Sequence, residues 1–292
     1  MPIYETIVDL IPEKSITNKG IVLDIDNTLL YATDGTQWME KLNVYRNPKL
    51  IGIRDRVFTS NMVDVVTPTG KGELVTMSGI LRPDVKEFIA FCFAYFRVVC
   101  IWSAGKEKYV HKMTDILTSH IPNKPNLIFS YYQCDRSNGD IVKPLNFIYE
   151  TPGMDEFLSP ENTLVLDDRE STFSRNPENG IMIPLFEPQF TVAGLTRHDN
   201  ALRQLMNWLL LPEVINCEDV RTLDKSSIFN LEITKPLEAI LLKEIREPIN
   251  IEMVKLLEID DPEIMEIMNN KNYNTKKITH RDDYFGYKFL NT

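Results

Sequence analysis

The sequence predicts an α/β protein: a mostly parallel sheet with helices on both faces and a small β-hairpin inserted after the first strand. Two observations predict the layers and a third the hairpin. Apolar runs of strand length recur along the chain, and segments with helical spacing lie between them. One stretch in the first third breaks that alternation with two extended runs flanking a glycine-rich turn.

In order, the strand-like runs are IVLDI at 21–25, RVVCIW at 97–102, NLIF at 126–129, TLVLD at 163–167 and GIMIP at 180–184. Helical spacing appears in PDVKEFIAFCFAYF at 83–96, KEKYVHKMTDILTSH at 106–120 and HDNALRQLMNWLLL at 198–211. Residues 56–80, RVFTSNMVDVVTPTGKGELVTMSGI, supply the hairpin. Gly70-Lys71 in its turn lacks the upstream glycine of a phosphate-binding loop, so turn chemistry explains it better. Pro212 marks the expected boundary: residues 1–212 form the main domain and 213–292 a mainly helical extension. The extension carries 16 acidic and 11 basic side chains and shows no catalytic pattern. It reads as a small helical subdomain or a docking element for a protein partner.

The first strand ends in Asp24-Ile25-Asp26-Asn27-Thr28. Alternate residues of a strand share a face, so two carboxylates come to lie side by side. Like charges at that distance, taken out of water, are costly unless a cation or hydrogen-bond donors meet them. A magnesium ion would neutralise the pair and draw in phosphate oxygens. One carboxylate can then attack phosphorus while the other gives a proton to the leaving group. The bland alternative is a pair of turn-capping aspartates.

Two further segments end at the same edge. Ser103 closes RVVCIW, and Ala104-Gly105 opens a helix whose free N–H groups suit a phosphate; an ordinary Ser N-cap is the alternative. Asp167-Asp168 closes TLVLD and could complete a magnesium site, with Lys143 of GDIVKP adding a positive charge; alone, these would be a helix cap and a solvated lysine. Ligands of open parallel sheets bind beyond the carboxyl ends of the strands. Asp24, Ser103 and Asp167 all fall there.

These four elements, in this order, resemble the motifs of the haloacid dehalogenase superfamily. Within it they are most similar to the FCP/SCP-type phosphatases of the RNA polymerase II C-terminal domain. The similar segments are IVLDIDNTLL, the hairpin leading into ILRPDVKEFI, VVCIWSAGKEKYV, GDIVKPL and LVLDDRESTFSRNPENGIMIP, covering about residues 20–210. The resemblance implies a Rossmannoid fold, a magnesium cofactor and hydrolysis of a phosphomonoester through an aspartyl-phosphate. On it, Asp24 is the nucleophile and Asp26 the general acid and then base. Ser103 and Lys143 hold phosphoryl oxygens, and Thr28 orders the first loop. Asp24, Asp168 and the backbone carbonyl of Asp26 bind magnesium, and Asp167 supports Lys143 or the metal shell. Asn27 stands where the family usually has an acidic residue, and Ser103 where it usually has threonine.

Composition narrows the remaining classes. The chain has 292 residues, 43% hydrophobic, and a formal net charge of -10. A generally basic nucleic-acid surface is therefore absent. No apolar run reaches membrane-spanning length, and the N-terminus lacks the pattern of a signal peptide. Cys92, Cys100, Cys134 and Cys217 form no CxxC pair, and four histidines show no zinc-ligand spacing. An intracellular protein, nuclear or cytoplasmic, is expected. Only 40 residues separate Ser103 from Lys143, which leaves little room for a large cap over the cleft. An open cleft suits a phosphate carried on a polymer, and protein phosphoserine or phosphothreonine is the expected substrate. The alternatives are a nucleic-acid end phosphatase using the same motifs and a non-catalytic interaction protein with this fold.

Overall fold

The computed structural model describes residues 11–12, 15–64, 73–137 and 139–230. Its first strand, β1 (Gly20–Leu23), is followed by a three-stranded antiparallel sheet made of β2 (Leu30–Asp34), β3 (Val57–Asp64) and β4 (Glu73–Leu81). The main sheet then continues with β5 (Val98–Trp102), β6 (Leu127–Phe129), β7 (Thr163–Asp167) and β8 (Gly180–Met182). Its five strands run in the order β6-β5-β1-β7-β8, every pair parallel. All residues of β1, β5 and β7 are buried, as parallel strands covered on both faces must be.

One face packs Val22, Cys100 and Val165 against Leu145, Ile148, Met154 and Leu158. Helix Val85–Tyr95 packs against β5 and against helices Glu107–Thr118 and Ala201–Leu209. Its apolar stripe, Val85, Phe88, Ile89 and Cys92, has the spacing of a single helical face and is buried. The hydroxyl of Tyr95 donates to the carbonyl of Leu209 at 2.6 Å, joining two of these helices.

From β1 the chain moves outward through β5 to β6, then returns to the far side of β1 for β7 and β8. That reversal opens a crevice at the carboxyl end of β1. Backbone bonds extend the ladder into it: Asp24 N–H donates to Leu166 O at 3.0 Å and Ser103 N–H to Phe129 O at 3.2 Å.

The expected hairpin is present as the antiparallel pair β3 and β4, and two details add to it. The hairpin is part of a three-stranded sheet, because β2 pairs with β4 from Leu30↔Leu81 to Asp34↔Met77. Only Leu30 of LYATD is buried, so this strand has no alternation for a sequence pattern to reveal. The hairpin's turn lies outside the described residues. Compact packing also continues past Pro212, which starts a short helix, Pro212–Ile215. Val214, Val220 and Ile228 are buried, and Lys19 Nζ donates to Ile215 O at 2.8 Å. The first compact unit extends to residue 231. The helical character and docking role expected of the remaining extension fall outside the described residues.

Candidate active site

The crevice gathers side chains from four separate segments. Asp24 follows β1, and its loop turns sharply through Asn27, whose φ of 60° is left-handed. Asparagine tolerates that conformation better than most residues. Asn27 N–H donates to Leu30 O at 2.8 Å, and Phe186 N–H donates to Asn27 O at 2.8 Å. The loop is thus tied to its own next strand and to the segment after β8.

Lys143 lies between β6 and β7, 1% exposed. Its ammonium donates to Asp24 Oδ1 and to Asp167 Oδ2, both at 2.6 Å. Burial alone would pull the Lys143 pKa down, but the two carboxylates outweigh it, and the net shift is upward. Burial pushes the Asp24 carboxyl up; Lys143 partly offsets this, while Asp167 and Asp26 add repulsion. Asp168 is half-buried and is raised by burial and by Asp167.

Asp24, Asp167 and Asp168 each offer a carboxylate oxygen within 4.8 Å of the others. Three hard oxygen donors so close, two of them raised by desolvation, form a set that a small divalent cation such as magnesium fits. Thr28 is fully buried, and its hydroxyl donates to Asp168 Oδ1 at 3.4 Å, linking the first loop to the acidic pair.

Ser103 is buried one residue beyond β5. It caps no helix: Lys106 occupies the N-cap of Glu107–Thr118. Its hydroxyl donates to Asp26 Oδ2 at 3.1 Å and accepts the Gly105 N–H at 3.0 Å. Asp167 likewise caps no regular helix; its Oδ1 accepts the Arg169 N–H at 3.0 Å. Asp24, Thr28, Lys143, Asp167 and Asp168 therefore form one connected cluster, and Asp26 with Ser103 forms a second beside it.

Two residues were not singled out from sequence. Tyr109, in the first turn of helix Glu107–Thr118, donates its hydroxyl to Asp26 Oδ1. Burial raises the Asp26 carboxyl, while the Tyr109 and Ser103 hydrogen bonds pull it back. The available signal was a phenol placed one helical turn after a candidate phosphate loop. Arg82, fully buried just after β4, donates to Thr28 O at 3.0 Å and Pro184 O at 2.7 Å. It also forms two bonds to Asp199, at 3.1 and 3.0 Å. Its signal was a charge inside the apolar run GILRPDV.

An α/β sheet with this topology, carrying an acidic first loop, a serine, a lysine and an acidic pair at one edge, is a fold of the haloacid dehalogenase type. Residues 19–221 match the model of the NLI interacting factor-like phosphatases, and the chain belongs to that family. Among curated relatives, it is 32% identical over 114 residues to the ubiquitin-like domain-containing CTD phosphatase of Arabidopsis thaliana, covering 37% of this chain and 33% of that one. It is 29% identical over 153 residues to ubiquitin-like domain-containing CTD phosphatase 1 of Xenopus laevis, covering 50% and 45%. The chain thus spans less than half the length of the curated relatives it matches. Among solved structures, it is similar to fission yeast RNA polymerase II CTD phosphatase Fcp1 bound to beryllium fluoride. The TM-score there is 0.46 at 19% identity, over 58% of this chain and 42% of that one. A second structure of Fcp1 aligns at TM-score 0.47 and 16% identity, over 76% and 62%.

Proposed function

We propose that this chain is a magnesium-dependent phosphatase that hydrolyses protein phosphoserine or phosphothreonine through an aspartyl-phosphate on Asp24. One observation carries the reading: Asp24 and Asp167 clasp the buried Lys143, with Asp168 beside them, at the carboxyl end of the central strand. Asp24 and Asp168 would hold magnesium together with the Asp26 backbone carbonyl, and Asp167 keeps Lys143 in place. When bound, the ion supplies charge neutralisation for the nucleophile and the phosphoryl oxygens.

Asp24 attacks phosphorus as the bond to the leaving oxygen breaks, and Asp26 gives that oxygen its proton. Asp26 then takes a proton from water, which attacks the aspartyl-phosphate and releases inorganic phosphate. Ser103 and Lys143 donate to the phosphoryl oxygens throughout. The relatives named as CTD phosphatases and the short Ser103-to-Lys143 connection support a phosphorylated polypeptide as substrate, such as the C-terminal domain of RNA polymerase II. An intracellular location, nuclear or cytoplasmic, goes with such a substrate. Among the described residues, no helix is long and apolar enough to cross a membrane.

The test is a panel of phosphoserine peptide, aryl phosphate and end-phosphorylated oligonucleotide, each with magnesium and with chelator. Turnover of the peptide and aryl phosphate that vanishes with chelator and returns with magnesium is expected. Full activity in chelator would overturn the metal assignment. Preference for the oligonucleotide would overturn the protein substrate, and an inert chain would overturn the enzyme reading.

A further inference from the structure

The Asp26 carboxylate meets two hydroxyl donors, and only one of them is free to stay during the proposed reaction. Ser103 Oγ donates to Asp26 Oδ2, and its other observed bond is as acceptor of the Gly105 N–H. A serine hydroxyl has a single proton. When a phosphoryl oxygen claims it, Asp26 Oδ2 loses its donor. Tyr109 holds the other oxygen, Oδ1.

We infer that Tyr109 is the positioning residue that keeps Asp26 aimed after Ser103 turns its hydroxyl to the phosphoryl group. This rests on the proposed phosphatase reading. The released Oδ2 then carries the proton delivered to the leaving oxygen and later takes one from water. Tyr109 O–H stays on Oδ1 through both transfers, and its bond strengthens as Asp26 becomes the carboxylate. Acid-assisted departure of the leaving group is thereby favoured.

The local fold supports a dedicated placement. Tyr109 is half-buried, with its ring against the Ser103 loop: a Cβ added at Gly105 would lie 2.5 Å from Tyr109 Cδ1. Gly105 thus leaves the space that lets the ring approach Asp26. Tyr131 N–H donates to Gly105 O at 2.8 Å, fixing that loop against the segment after β6.

The test uses the full chain with magnesium and the variant Tyr109→Phe, which keeps the ring and removes only the hydroxyl. With phosphoserine peptide, whose alkoxide leaving group needs a proton, kcat should fall about 10- to 100-fold, the range of one hydrogen bond to a charged group. With an aryl phosphate, whose leaving group needs little protonation, the loss should be much smaller. In an Asp26→Asn background, adding Tyr109→Phe should change the peptide rate by less than about twofold, because the two act as a unit. Equal losses on both substrates, or a full further loss in the Asp26→Asn background, would show that Tyr109 serves substrate binding or packing instead. An active parent with an unimpaired Tyr109→Phe variant overturns this inference alone. A parent that turns over neither substrate overturns the phosphatase reading and this inference with it.

Discussion

Replacing Lys143 by methionine should destabilise the fold in a way that depends on both pH and magnesium. Methionine matches the lysine stem in length and shape, so the change removes the charge while keeping most of the packing. The Lys143 side chain is 2% exposed and its partners Asp24 and Asp167 are 9% and 1% exposed, so water cannot screen what remains. Breaking a buried ion pair by removing one partner costs about 3–5 kcal/mol, since it strands an uncompensated charge. At about 2–4 °C per kcal/mol for a domain of this size, Tm should fall by roughly 6–20 °C.

The sign of the pH dependence follows from Asp24. Its folded pKa is already raised, chiefly by burial, and loss of Lys143 raises it further. A carboxyl raised in the folded state contributes stability below its unfolded pKa, about 4, and loses that contribution as pH climbs towards the folded value. Below about pH 7 both folded proteins keep that proton and the Tm gap should be steady; it should widen as pH rises from about 7 to 9, through the parent's folded value of about 8. Magnesium should raise the Tm of the variant more than that of the parent, because the variant has lost the ammonium that offsets the carboxylates and repels a second cation. Calorimetry or circular dichroism over that pH range, with and without magnesium, reads all three effects. A Tm loss below about 2 °C, or one independent of pH, would show that the Asp24–Lys143–Asp167 clasp is not electrostatically buried as described.

Four other outcomes are expected. Asp24→Asn should abolish phospho-enzyme formation on every substrate while leaving the fold intact, because Lys143 keeps Asp167. Asp26→Asn should slow turnover by a factor of about 10² to 10⁴, most severely for alkyl phosphates; equal deficits on aryl and alkyl substrates would remove Asp26 from proton transfer. Arg82→Leu should lower stability by about 3–5 kcal/mol in denaturant titrations, since it strands Asp199 and leaves the Thr28 and Pro184 carbonyls without their donor; a loss under about 1 kcal/mol would refute its anchoring role. A chain ended after Pro212 should be less stable than one ended after Asn230 by several kcal/mol, because Val214, Val220 and Ile228 each bury a side chain worth about 1.5–3 kcal/mol; equal Tm values would place the boundary at Pro212 after all.

The strands of the main sheet were legible in the sequence because burial on both faces leaves short, unbroken apolar runs such as VVCIW and TLVLD. The strand-end positions of Asp24, Ser103 and Asp167 followed from the same runs, since a charge or hydroxyl interrupts them where the sheet meets solvent. The order of the acidic loop, serine, lysine and acidic pair was readable too, and with it the family. Other features depended on segments meeting in space. Lys143 lies 119 residues from Asp24 in the chain, and only the return of the chain across β1 brings its ammonium between two carboxylates. The Tyr109 hydroxyl reaches Asp26 across 83 residues, and the Arg82 guanidinium reaches Asp199 across 117. Strand β2 and the buried side chains after Pro212 carry no periodic pattern of their own, because their partners come from distant parts of the chain. Periodicity reports which face of an element is buried. Only the tertiary fold decides what it is buried against, and here that decides which carboxylate meets a lysine and which meets a pair of hydroxyls.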